Sequence, residues 1–215
     1  MDNVFAEEIG KIRNFVFQDL KNSGMLNSVY AYWIELENNL SGDLYHPVNF
    51  IRDYLTIQNG GMISSLDNLT KDFIIFYAKI TKYQSKDVII KNLCRYSSYY
   101  KKITSGNIAD EDIKEKIDKI NEYGAKDAYP FLMEVFEDYD YAHINKHMLM
   151  EILNTVIGFI EERNSANPSK MALSFAGLSN EINKMMVLKD YMPKFVAQNT
   201  DSPECATINS LSNAG

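Results

Sequence analysis

The side chains able to do chemistry are few, and their spacing suits it poorly. Three histidines occur, His46, His143 and His147. His143 and His147 have the i,i+4 spacing that puts two imidazoles on one helix face, with Glu151 one turn further. A zinc hydrolase built on that spacing needs a glutamate directly after the first histidine as general base, and Ile144 occupies the place. Asn145 reads as the N-cap of the next helix, which leaves His143 outside it and breaks the alignment. Both histidines are expected at the surface near a helix start, with no metal. Glu134, Glu137, Asp138 and Asp140 form a dense acidic run. Paired carboxylates do acid–base work only where something separates their pKa values. Nothing nearby suggests a pocket, so a solvated helix end is expected. The Asp-x-Asp-x-Asp-Gly calcium loop is absent, Gly60-Gly61 lacks a following Lys-Ser/Thr, and no serine sits in a nucleophile elbow. No histidine lies within ten residues of Cys94 or Cys205. No catalytic, cofactor-binding or metal-ligating residue is therefore assigned.

One stripe could hold a ligand. Between Lys82 and Lys102 six basic residues face a single acid, Asp87. On a helix over 85–103, Ile89, Leu93, Tyr96, Tyr100 and Ile103 fall within an arc of ~80°, and Lys91, Arg95 and Lys102 lie opposite within ~40°. Lysine and arginine neutralise phosphates, and the neighbouring Tyr99 could stack on an unpaired base. An amphipathic helix also keeps its charge opposite its apolar face with no ligand involved. Lys91, Arg95 and Lys102 are the candidate phosphate contacts.

The elements that would position these residues are helical, because apolar residues recur three and four apart throughout. A first helix over 5–20 buries Ile9, Ile12, Val16 and Leu20, and a second turns Leu26, Val29, Tyr30, Trp33 and Ile34 inward. Pro47 suits the opening turn of a third, lined by Phe50, Ile51, Tyr54 and Leu55. Leu69, Phe73, Phe76, Tyr77 and Ile80 face inward from a fourth, and the basic helix is fifth. The sixth, over 110–123, turns Ile113, Ile117 and Ile120 inward, pairs Glu115 with Lys119 on its outer face, and ends at Gly124. A seventh follows Pro130, and an eighth starts at Asn145 with Leu149, Ile152, Leu153, Val156 and Ile160 inside. A ninth covers 170–186, and a tenth over 188–195 is kinked at Pro193. The expected fold is all-α: an irregular bundle of about ten helices with no sheet. It forms one domain over 1–198, or two interlocked lobes over about 1–105 and 106–198, with a disordered tail over 199–215.

Composition narrows the class. The chain has 215 residues, 46% hydrophobic and 24% charged, with five prolines and ten glycines, which excludes collagen-like and low-complexity chains. Two cysteines cannot build a disulfide framework and fit a reducing compartment. The acidic start is no signal peptide, and no apolar run approaches the ~18 residues that span a bilayer, so a cytoplasmic protein without membrane contact is expected. The net charge is −7, and the stretch from Asp110 to Asp140, with eleven acids and four lysines, carries all of it. Such a balance argues against a surface that grips nucleic acid everywhere.

Several segments resemble one family in order along the chain. Lys11-Ile12-Arg13-Asn14-Phe15-Val16-Phe17 and Tyr32-Trp33-Ile34-Glu35-Leu36-Glu37 resemble its "IRN-[FY]-[LV]" and "YW-x-x-[LF]-E" helices. Phe50-Ile51-Arg52-Asp53-Tyr54-Leu55-Thr56 resembles "F-[LI]-R-[DH]-YL-T", and Ala128-Tyr129-Pro130-Phe131-Leu132 resembles "YP-[LF]-L". Gly158-Phe159-Ile160-Glu161-Glu162-Arg163-Asn164 is similar to "[ES]-[YF]-[LI]-x-RR", with Asn183-Lys184 as the later "NK". The family is the ParB/sulfiredoxin-like group of GmrSD-type, modification-dependent restriction nucleases, which includes many bacterial defence proteins. The resemblance spans about residues 9–188 and covers the family's helical middle. Full-length members carry a ParB-like N-terminal domain with a DGQQR-type motif, and often a C-terminal HNH nuclease. Neither motif occurs here, and Glu162 stands where the family has the first arginine of its pair. The resemblance implies a helical scaffold, not an enzyme on its own, that couples flanking ParB-like and HNH-type domains of a nucleotide-dependent parent nuclease. Its motif positions are Arg13, Asn14, Trp33, Arg52, Asp53, Tyr54, Pro130 and Arg163. The competing readings are a stand-alone protein-interaction module and a helical domain that binds nucleic acid.

Overall fold

A computed structural model describes residues 2–42, 45–59 and 66–163. Among these the chain forms eight α-helices and no strand: α1 (Asp2–Asn22), α2 (Leu26–Asn39), α3 (Tyr45–Gln58), α4 (Leu69–Ile80), α5 (Lys86–Ser105), α6 (Glu111–Glu122), α7 (Tyr129–Asp140) and α8 (Lys146–Arg163). Short 3-10 turns, Leu66–Asn68 and Lys126–Ala128, lead into α4 and α7. The expected ninth and tenth helices and the tail lie outside the described residues. None of the described helices is long and apolar enough to cross a membrane.

The helix ends follow local chemistry. Gly24 and Gly124 adopt φ of 69° and 67°, a left-handed conformation that side chains resist. At each, two backbone bonds close the preceding helix. Met25 N–H reaches the Leu20 carbonyl at 2.9 Å, and Ala125 N–H reaches the Ile120 carbonyl at 3.4 Å, the wrap-back that absorbs orphan carbonyls. Asn145 caps α8, its Oδ1 accepting from Met148 N–H at 3.0 Å.

The chain divides into two compact units, Met1–Lys114 and Glu115–Gly215. In the first, α3 is central and packs against α1, α4 and α5. Its five consecutive residues Asp53–Ile57 are all buried, so it has no solvated face over that stretch. Aromatic rings fill the space around it. Tyr54 lies edge-on to Tyr96 at 5.5 Å and to Phe76 at 5.8 Å, and Phe50 meets Tyr100 at 5.6 Å, geometries that suit ring quadrupoles. α2 packs along α5 and buries Val29, Trp33 and Leu36. Tyr30, expected inside, is 46% exposed; its ring leans on Phe17 at 6.0 Å, and Leu36 and Leu40 take the inner positions.

In the second unit, α7 packs against α8 and its own leading turn. Every residue from Tyr129 to Phe136 is buried. This overturns the expectation of a solvated acidic end for two of its four carboxylates: Glu134 is 1% and Asp138 6% exposed, while Glu137 is half-buried and Asp140 exposed. Glu134 and Asp138 sit at i,i+4 on one face, and a helix enclosed on nearly all sides offers that face no water. The expected Glu115–Lys119 pair is also replaced. Lys119 Nζ reaches Glu161 Oε1 at 2.7 Å, and Tyr123 OH donates to the same oxygen at 2.7 Å. Both donors hold the Glu161 carboxyl below the usual range, Lys119 foremost, and tie α8 to the end of α6.

Candidate functional site

Of the positions singled out by the resemblance, Trp33 lies where α1, α2 and α3 come together in the first unit. Three helices meet there around a pocket of about 400 Å³. α1 contributes Ile9 and Ile12, α2 contributes Trp33, Leu36 and Glu37, the segment after it Leu40, Ser41 and Gly42, and α3 Pro47 and Ile51. The walls are mostly apolar because each helix turns its i,i+3/i+4 apolar stripe toward the same gap. Glu37 is the only ionised group among these lining residues.

The Glu37 carboxylate is held from two sides. Trp33, 4% exposed, donates its indole N–H to Glu37 Oε1 at 2.9 Å within α2. Arg13 comes from α1 with its Nε 3.3 Å from the same oxygen, while its guanidinium lies 5.1 Å from the centre of the Phe17 ring. Phe17 in turn meets Trp33 edge-on at 5.3 Å. Arg13, Phe17, Trp33 and Glu37 thus form one connected group that ties α1 to α2. Its members come from the two motif segments 11–17 and 32–37, and Asn14, on the other side of α1, is exposed.

The third motif also serves packing. Arg52 donates from Nε and Nη2 to Asp53 Oδ1 at 2.8 and 2.7 Å, so the 2% exposed Asp53 carries its charge inward with a cation beside it. Tyr54 OH donates to Asn92 Oδ1 at 2.7 Å, joining α3 to α5. Pro130 is buried in the first turn of α7. Arg163 is the last residue of α8, and its side chain lies outside the described residues.

The basic stripe is less open than expected. α5 buries Ile90, Cys94, Ser97 and Tyr99 in addition to its apolar stripe, an arc of roughly 220°. Tyr99 is 1% exposed, so its ring is closed to a stacking base; α5 is gripped on several sides, whereas an isolated amphipathic helix would be covered on one. Lys91 stays exposed, 3.3 Å from Asp87 and 5.5 Å from the centre of the Tyr32 ring. Arg95 and Lys102 are half-buried, stacked over Tyr96 at 5.9 Å and Tyr99 at 5.4 Å. Burial, with the Glu35 charge adding to it, pushes the Cys94 thiol up to about 12, well away from nucleophilic character.

His143 lies before α8, as expected, with its Nδ1 3.0 Å from Asp138 Oδ1 and its ring stacked on Tyr141. His147 is 80% exposed and 3.6 Å from Glu151. Among the described residues no group of three His, Cys, Asp or Glu side chains could hold a metal ion. Sequence reasoning did not find the pocket, because its lining looks like ordinary helical core until three stripes are brought to one gap. It also missed the cap on α4. There Glu8 of α1 accepts from Thr70 N–H at 3.3 Å and from the Thr70 hydroxyl, a contact 62 residues apart in sequence. Comparison with protein-family models, curated proteins and solved structures finds no match for this chain.

Proposed function

We propose that this chain is a non-catalytic helical scaffold, a coupling module that joins and orients flanking domains in a GmrSD-type, modification-dependent restriction or phage-defence protein. The carrying observation is the use of the motif side chains. Arg13, Trp33, Arg52, Asp53 and Tyr54 are engaged with neighbouring helices or residues, so the motif that prompted the family resemblance is a framework motif. A framework shared by a family whose other domains do the chemistry is what a coupling module requires.

The test pairs stability with function in Arg13→Ala. The melting temperature of the purified chain is measured by circular dichroism, and phage restriction is measured in cells carrying the parent gene. The scaffold reading expects a lower melting temperature and a restriction defect that is relieved at lower growth temperature. An unchanged melting temperature with restriction abolished at every temperature would give Arg13 a ligand or signalling role and end the reading. A second reading, a stand-alone interaction module, draws on the large apolar side chains left in water, Tyr83 at 79% and Ile75 at 57%. Light scattering after size exclusion separates the two: a monomer favours the scaffold, and concentration-dependent self-association favours the module.

A further inference from the structure

We infer that the pocket between α1, α2 and α3 binds a small amphiphile with a cationic head and an apolar body, an alkyl- or arylammonium compound. Its volume of about 400 Å³ falls within the ~300–1,000 Å³ of small-ligand sites. Ile12, Leu36, Leu40 and Ile51 make the interior apolar, which suits a hydrocarbon body and gives sugars or phosphates nothing to bind. Glu37 is the one ionised residue in its lining, and the contacts from Arg13 and Trp33 both go to Oε1, which leaves Oε2 to meet a cationic head. Glu37 is 35% exposed, so a head group bound there keeps part of its water while the body is covered. Trp33 also lines the pocket beside that carboxylate, adding aromatic surface for the apolar body. The carboxylate is also positioned in advance: the Trp33 N–H and Arg13 Nε both hold Oε1, so binding has little left to order.

Trp33 is the only tryptophan in the chain, so its fluorescence reports the pocket directly. The full chain is titrated with three probes sharing one apolar body: 4-phenylbutylamine, 4-phenylbutan-1-ol and 4-phenylbutyrate. Saturable change is expected for the amine, at about one-tenth the concentration the alcohol needs, since a charge-assisted bond is roughly twice as strong as a neutral one. The butyrate should bind most weakly. Glu37→Gln should bring the amine to the level of the alcohol, and Ile9→Phe, which fills the gap from α1, should abolish all three. Ile51→Phe fills it from α3 and serves if Ile9→Phe does not fold, folding being checked by melting temperature. Absence of saturation by the amine, butyrate binding as tightly as the amine, or undiminished binding in a folded pocket-filling variant each overturns the inference.

Discussion

The bond from Trp33 to Glu37 has consequences that can be worked through. The Trp33 indole is 4% exposed and donates to Glu37 Oε1 at 2.9 Å. Glu37→Leu removes the acceptor and leaves a buried N–H unpaired, which costs about 1–3 kcal/mol. It also removes the pairing with Arg13. That pair is 42% and 35% exposed on its two sides, and pairs so open contribute about 0.2–1 kcal/mol. Glu37→Gln keeps a carbonyl oxygen for the indole and loses only the charge. Urea unfolding followed by circular dichroism at 222 nm should therefore find Glu37→Leu less stable than Glu37→Gln by about 1–2 kcal/mol. In a Trp33→Phe background, which has no indole N–H, the gap between the two variants should shrink below about 0.5 kcal/mol. Arg13→Ala should not shrink it. Equal stabilities of the Leu and Gln variants in the wild-type background would refute the reasoning, since the Trp33 N–H would then not depend on this carboxylate.

Other expectations follow from the same structure. Gly158 lies inside α8 with open space where a Cβ would stand, so Gly158→Ala should raise stability by about 0.5–1 kcal/mol. Gly124→Ala should lower it by about 1–2 kcal/mol, because φ is +67° there; denaturant midpoints of both variants check the contrast in sign. The Thr70 hydroxyl, opposed by burial and aided by Lys11, holds the Glu8 carboxyl below its ordinary value of 4.5. A depressed folded pKa contributes stability that is complete above 4.5 and lost as pH falls through the lower folded value. Glu8→Gln should accordingly flatten the acid limb of the stability–pH curve, and an unchanged limb would remove Glu8 from its origin. In a Cys205→Ser chain at pH 8, Cys94 should react with a thiol reagent only as fast as the protein opens, since burial raises its pKa to about 12; rapid labelling of folded protein would contradict its enclosure. Charge reversal at Lys91 should flatten the salt dependence of any DNA binding seen by fluorescence anisotropy. A slope unchanged by that variant would retire the stripe as a phosphate contact.

Periodicity was a sufficient guide to the inner faces of α6 and α8. α6 and α8 turn inward the residues their spacing marks, such as Ile117 and Ile120 or Leu149 and Ile152, and Gly124 and Asn145 end and begin helices as their chemistry requires. It failed where a helix is covered on several sides. α7 buries the acids Glu134 and Asp138, and α5 buries Tyr99, and all three stand outside the apolar stripe. A sequence shows which face of a helix is apolar but not how many neighbours that helix has. The pocket was illegible for a related reason: Ile12, Leu36 and Ile51 come from three helices, and each alone reads as core. The Glu8–Thr70 cap spans 62 residues and has no local signal at all.

Glu37 links the scaffold reading to the ligand inference, and its chemistry also separates them. As a tie between α1 and α2 it acts mainly by accepting the Trp33 N–H, a task any side-chain carbonyl performs. As the recognition group of the pocket it acts by its charge, which only a carboxylate supplies. Glu37→Gln preserves the first and deletes the second. A folded Glu37→Gln protein that loses its preference for amines while keeping most of its stability would assign the charge to ligand recognition. The same variant restricting phage normally would show that the scaffold does not need the ligand. If restriction fails while the fold stands, the scaffold reading takes a regulated form, in which the proposed coupling depends on an occupied pocket.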